Sequence, residues 1–304
     1  MAEKIRIVFL GTSASVPTKE RNLSSIAIRF NGEWLLFDCP EGTQRQMVKA
    51  GVSYLKINHV FISHFHADHF LGLGGMLATM NIHGRDWAIN IHGPRGIKEK
   101  VAMSMELAML KPGFEVKCHE VKKGVVLKGD KFQVDAFPLK HEAECWGYNF
   151  TEEGKPGEFN REKAMALGIP VGPLFSDLQK GKSVKLGAKI INPEDVMDYS
   201  KAVKGKKISM VFDTLASKSY LGAIEGADVL VHEASFLDER QDRAEETMHS
   251  TALQAGKIAQ QAGAKKLVLF HLSARHKDRE KFENEARKEF NDVTVAEDLM
   301  EMEL

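Results

Sequence analysis

Cysteine is scarce in this chain of 304 residues, and the 3 that occur, Cys39, Cys118 and Cys145, are widely spaced with no C-x-x-C pair. An odd, scattered set argues against a disulfide framework and a thiolate zinc site, and it fits a reducing compartment. Net charge is missing too. The 42 Lys and Arg balance 42 Asp and Glu, so no general field draws polyanions and any nucleic-acid contact has to come from local patches. Such patches exist at Lys201, Lys204, Lys206 and Lys207, and at Lys265, Lys266, Arg275, Lys277, Arg279 and Lys281, although most runs of this kind are solvated faces. No uninterrupted apolar stretch approaches a bilayer crossing, and Met1-Ala2-Glu3-Lys4-Ile5-Arg6 enters a strand with no apolar signal core. The expectation is a cytoplasmic protein with no membrane contact.

Histidine, by contrast, is concentrated. His64-Phe65-His66-Ala67-Asp68-His69 puts four possible metal ligands within six residues, directly after the apolar run His59-Val60-Phe61-Ile62-Ser63. That run has the length and β-branched content of a buried strand, and the segment from Phe70 to Leu77 reads as a turn feeding a helix, so ligands gather at a strand's carboxyl end. His64 and His66, two apart on extended chain, point to one side, while Asp68 and His69 follow the turn and face a second point. The spacing predicts two metals. Imidazole nitrogen with carboxylate oxygen suits zinc, with manganese and iron left open on ligand type. Metal-dependent hydrolysis is the chemistry predicted, on a substrate that the motif does not name.

Short apolar strands separated by helical stretches make two similar halves. The first holds Ile5 to Leu10, Ser25 to Phe30, Trp34 to Asp38, Val60 to Ser63 and Ala88 to His92. Glu115 to Val121, Lys131 to Pro138 and Trp146 to Phe150 then read as an antiparallel meander. The second half resumes at Lys207 to Phe212, Val229 to His232 and Leu267 to His271, with amphipathic helices near Thr251 to Ala262 and Arg279 to Phe290. The predicted class is α/β, a four-layer αββα sandwich forming one hydrolase domain over 1–304, with its polar strand ends at one edge. Residues 151–191 break the rhythm with Gly154, Pro156, Gly157, Gly168, Pro170, Gly172, Pro173 and Gly181, and read as an ordered projecting arm with helical pieces at Met165-Ala166-Leu167 and Leu174-Phe175.

His141, Asp213 and His271 each follow an apolar strand. With the first motif they allow His64, His66 and His141 on one metal, Asp68, His69 and His271 on the other, and Asp213 bridging. Leu71, Leu73, Met76, Leu77 and Met80 form an apolar helix face beside the motif, to be buried in the chain's own core or in a dimer interface.

Further stretches complete a pattern: Gly11-Thr12-Ser13-Ala14-Ser15-Val16-Pro17-Thr18-Lys19-Glu20-Arg21-Asn22, Phe37-Asp38-Cys39-Pro40-Glu41-Gly42-Thr43-Gln44-Arg45-Gln46, His141 with Glu142 and Cys145, Gly168-Ile169-Pro170-Val171-Gly172-Pro173, His232-Glu233-Ala234-Ser235 and His249-Ser250-Thr251. Nearly end to end, this pattern resembles the short form of the ribonuclease Z family, tRNA 3′-processing endonucleases of the metallo-β-lactamase superfamily. Pro40, Phe212, Leu215-Ala216 and Ser235 depart from the family pattern without removing a ligand. The resemblance implies two zinc ions per subunit, a homodimer, and pre-tRNA cut just after the discriminator nucleotide, leaving a 3′ hydroxyl on the tRNA and a 5′ phosphate on the trailer. It implies Asp68 as general base, His249 at the leaving 3′ oxygen, and Lys19 and Arg21 near the acceptor end. The arm at 151–191, with Gly172 and Pro173 in its tip, becomes a flexible tRNA grip, and His232 and Glu233 a supporting or substrate-end pair. Two other classes stay open: a small-molecule phosphodiesterase, which shares every ligand without needing the arm, and a non-catalytic RNA binder, which has no reason to keep all ligands.

Overall fold

The computed structural model describes residues 4–276 and 278–304; residues 1–3 and Lys277, one of the basic residues noted above, lie outside them. The chain forms two compact units, one of Met1–Thr151 with Lys207–Leu304 and one of Glu152–Lys206. In the first unit lie two seven-stranded sheets. One runs in the order Glu301–Glu303, Arg6–Gly11, Ser25–Phe30, Glu33–Phe37, Ile57–Phe61, Ile89–Gly93, Val116–Glu120. The other runs Val293–Val295, Leu267–Phe270, Val229–Glu233, Lys207–Val211, Cys145–Glu152, Phe132–Leu139, Gly124–Lys128.

Strand side chains alternate between faces, so a strand covered on both sides must be apolar at nearly every position. Arg6–Gly11 shows this: Ile7 and Phe9 enter a core shared with Tyr148, Met210, Val231 and Phe270 of the other sheet, while Val8 and Leu10 pack with Met47, Leu73 and Leu77 of the covering helices. In the second sheet Val268 and Phe270 face that shared core, and Leu267 and Leu269 meet Ala255, Ile258 and Phe282. Four layers, αββα, follow from this alternation. Close helix approach needs Gly74, where a Cβ would come 2.4 Å from Ser104 Oγ.

Several expectations change. Val116–Glu120 is no part of a meander; it joins the first sheet as a parallel partner of Ile89–Gly93, and the chain changes sheets before Gly124–Lys128, a strand the periodicity left out. Glu301–Glu303 returns to pair with Arg6–Val8, so the halves are not separate in sequence. Alternation marks a strand but names no partner. Leu73, Met76, Leu77 and Met80 are buried in the chain's own core, which leaves only Leu71 of that face exposed, at 65%.

The Glu152–Lys206 unit has a small core of Ala164, Ile169, Phe175, Leu178, Val184, Ile191 and Val196. Asn160 caps the helix Arg161–Ala166, its side chain accepting from Lys163 N, and Pro173 opens the helix Pro173–Gln179. The unit runs on past Ile191 because Met197–Asp198 pairs with Glu158–Phe159 and Glu152 N donates to Lys206 O at 2.8 Å. Among the described residues no helix is long and apolar enough to cross a membrane.

Candidate metal centre

Parallel pairing collects strand ends. Lys207–Val211, Val229–Glu233 and Leu267–Phe270 run side by side in parallel, as do Glu33–Phe37, Ile57–Phe61 and Ile89–Gly93, so the residues after them meet at one edge of the sandwich. The loop after Ile57–Phe61 carries His64 and His66, and the one-turn helix Ala67–Phe70 turns Asp68 and His69 inward. The seven residues read as ligands come together in two groups sharing Asp213. His64, His66, His141 and Asp213 form one, and Asp68, His69, Asp213 and His271 the other, with ligand atoms inside each group within 4.8 Å of one another.

Most of the imidazoles are aimed by a bond to the far nitrogen. Nδ1 of His64 meets Ser63 Oγ at 2.9 Å, Nδ1 of His69 meets Asp38 Oδ2 at 2.6 Å, Nδ1 of His141 meets Met248 O at 3.0 Å and Nδ1 of His271 meets Ser235 Oγ at 3.0 Å. Each therefore presents Nε2. His66 is reversed, with its Nδ1 3.3 Å from His141 Nε2. Nε2 of His69 and of His271 both lie 3.3 Å from Asp213 Oδ1. Burial, reinforced by His69, pushes His64 well below its ordinary value, and burial lowers His141, so both rings are neutral and free to donate a lone pair. Burial works against the Asp213 charge, yet His271 and His69 hold its carboxyl well below the usual range. His64 Nε2 and Asp213 Oδ1 are buried with no hydrogen-bond partner. Orphaned lone pairs of this kind fit a bound cation, as does the nitrogen and oxygen donor set.

Two carboxylates organise the surroundings. Asp38 is fully buried and accepts from Ser63 N and Ser63 Oγ, each at 2.7 Å, besides His69. Glu233, also fully buried, accepts from Thr214 N at 3.1 Å, Ser250 N at 3.0 Å, Ser235 N and Oγ at 2.9 Å, and His249 Nδ1 at 3.0 Å. Burial opposes a charge on His249, but the Glu233 carboxylate outweighs it and raises the ring to about 9. His249 lines a cavity of about 240 Å³ together with Ser15, Phe236, Arg243, Thr247 and Arg275. His232 faces away from this centre, its Nε2 3.0 Å from Tyr220 Oη.

The sequence alone gives no role to Asp38 or Ser63, and the one signal for Asp38 is a strand that ends on Asp within the stretch Phe37-Asp38-Cys39-Pro40. Lys19 is exposed, whereas the Arg21 guanidinium lies on backbone carbonyls of Leu272, Ser273 and His276. Gly172 and Pro173 sit on the exposed surface of the Glu152–Lys206 unit, Gly172 with φ 158°, a conformation open to glycine.

Fold and site together define a metallo-β-lactamase-fold metal enzyme. A family model described as Anti-Pycsar protein Apyc1 matches residues 5–145, less than half of the chain. Ribonuclease Z of Methanosarcina acetivorans is 44% identical over 301 residues, covering 99% of this chain and 98% of the relative. Ribonuclease Z of Myxococcus xanthus is 41% identical, covering 99% and 98%. The crystal structure of human tRNase Z, short form, superposes with a TM-score of 0.69 at 27% identity, covering 98% of each chain. The metallo-β-lactamase-fold protein YhfI of Bacillus subtilis, at 18% identity and a TM-score of 0.72 over 99% of this chain and 100% of its own, shares the fold. The chain belongs to the ribonuclease Z family.

Proposed function

We propose that this chain is a two-zinc endoribonuclease that cuts pre-tRNA on the 3′ side of the discriminator nucleotide, leaving a 3′ hydroxyl on the tRNA and a 5′ phosphate on the trailer. As a ribonuclease Z it is a tRNA 3′-processing endoribonuclease. The observation that carries the two-metal chemistry is Asp213, a buried carboxylate common to both ligand groups. His64, His66 and His141 would hold one ion and Asp68, His69 and His271 the other, with Asp213 within reach of both. When bound, such a pair offsets charge building on the phosphodiester oxygens and eases the deprotonation of water.

The side chains do the rest. Asp68, whose Oδ2 accepts from Ser15 N at 2.8 Å, takes the proton of the attacking water. Water oxygen bonds to phosphorus, the bond from phosphorus to the 3′ oxygen breaks, and protonated His249 gives its proton to that oxygen. Glu233 keeps the His249 ring charged and aimed. Lys19 meets the acceptor end, and the Glu152–Lys206 unit, with Gly172 and Pro173 at its surface and five lysines to one aspartate between Lys163 and Ile191, grips the tRNA body. The enzyme works in the cytoplasm as a homodimer. Ile82, Met103, Leu107 and Met109, exposed on or next to the helices Leu73–Ile82 and Ile97–Leu107, supply apolar surface for that interface.

Mapping the cut on one end-labelled pre-tRNA, beside metal analysis, tests this reading. Asp213→Ala is expected to lose turnover together with metal. His249→Ala is expected to keep its metal and lose about 10²- to 10⁴-fold in rate, the range for general acid catalysis. Cleavage within the tRNA body, or an Asp213→Ala protein of full activity, would overturn it.

A further inference from the structure

Arg21 stands in a loop for which the family resemblance implies contact with the acceptor end, yet its guanidinium is turned onto the protein. Nη1 donates to Leu272 O at 3.4 Å, and Nη2 to Ser273 O at 3.1 Å and His276 O at 2.9 Å. Those carbonyls belong to the chain leaving His271. His271 is fully buried with φ 56°, in the left-handed region that a non-glycine residue keeps only where its surroundings hold it.

The same loop meets the Asp68, His69, Asp213 and His271 group at two further points. Ser15 N donates to Asp68 Oδ2 at 2.8 Å. Ser13–Ala14 pairs in parallel with Leu272–Ser273, and Leu272 N donates to Thr12 O at 2.9 Å. The loop is itself fastened. Asp298 accepts from Thr12 Oγ1 at 2.9 Å, Asn22 N at 2.6 Å and Gln46 Nε2 at 2.7 Å, and Thr18 N donates to Arg21 O at 2.7 Å. His64 and His141 take their support elsewhere, from Ser63 and Met248.

We propose that Arg21 is a positioning residue that fixes the chain after His271, and so secures the ion of the Asp68, His69, Asp213 and His271 group, instead of contacting RNA. The inference rests on the two-metal reading. A guanidinium presents donors in a rigid fork and can span three carbonyls at once; a lysine ammonium is a single point. Without the fork the left-handed turn can relax, and His271 Nε2 loses its aim while the three-histidine group keeps its own supports. Loss of such outer support costs about 10- to 100-fold in metal affinity.

The experiment loads wild type, Arg21→Ala, Arg21→Lys and Lys19→Ala with zinc, strips them by chelator titration while counting ions per chain, and measures kcat and KM on one pre-tRNA. Arg21→Ala is expected to release one ion about 10- to 100-fold more readily than wild type and to keep the other. Its kcat should fall with KM near wild type and recover in excess zinc, with Arg21→Lys between the two; Lys19→Ala should hold both ions and raise KM. If both Arg21 variants hold two ions as wild type does while KM rises, Arg21 touches RNA and the inference is overturned. Equal loosening of both ions also overturns it, as does a single ion in wild type, which sinks the two-metal reading as well. Arg21→Lys keeps the test available should Arg21→Ala fail to fold.

Discussion

At the scale of residues, Asp38 shows how a buried carboxylate aims a histidine of the candidate metal centre. Burial pushes its carboxyl up, and His69 with the two Ser63 donors pulls it back. Its oxygens meet three donors, so Asp38→Asn would set an amide NH₂ against at least one N–H or O–H that now has an acceptor. His69 should then turn, and metal affinity should fall by about 10- to 100-fold while the unliganded chain still folds. Competition with a fluorescent chelator measures this; unchanged affinity would show that His69 is aimed by packing alone. Four residues of the two groups, His64, His66, Asp68 and His69, were legible because such a density of donor side chains within six residues has no structural use. Asp38 was not, since one aspartate after a strand carries no mark of what it faces, and a five-bond acceptor such as Glu233 is revealed only when distant loops converge.

Among elements, three adjacent parallel strands carry a row of rings that the metal chemistry leaves unused. His92 on Ile89–Gly93 stands in register between Phe61 and His119, with ring centroids 4.6 Å and 4.8 Å away, and its Nε2 lies 3.2 Å from His59 Nδ1. Burial, aided by the neighbouring imidazoles, lowers His59 to about 4 and His92 to about 3. Both are neutral in the fold, whereas the unfolded chain protonates them near 6.5. Stability is therefore unaffected by them above about pH 6.5 and drains as pH falls toward their folded values, by about 2 kcal/mol per ring at pH 5. Denaturant titrations should show a steeper loss between pH 6.5 and 5 in wild type than in His92→Phe, and parallel profiles would count against the ladder as an acid-sensitive element. Strand existence was readable from apolar alternation; that Val116–Glu120 closes this row could not be read, because partner choice depends on which sheet has a free edge.

For the whole molecule the open question is whether one chain both grips and cuts. The Gly and Pro content of 151–191 predicted a projecting arm, the resemblance implied that it grips tRNA, and the Glu152–Lys206 unit has its own core, so it can be removed as a piece. Thr151 and Lys207 are register partners in antiparallel strands, so an Asn-Gly turn between them replaces the unit by a tight hairpin that leaves the sandwich intact. That deletion is expected to keep metal content and hydrolysis of a small phosphodiester near wild type while weakening pre-tRNA binding, because binding energy and chemistry then reside in different units. Loss of small-substrate hydrolysis would place part of the chemistry in the inserted unit. A mixing experiment completes the argument: the deleted chain supplies an intact metal centre, a His66→Ala chain supplies an intact inserted unit, and each alone is inactive on pre-tRNA. Recovered cleavage in the mixture means that one subunit holds the tRNA that the other cuts, whereas a heterodimer proven by mass and still silent means that each subunit holds and cuts its own.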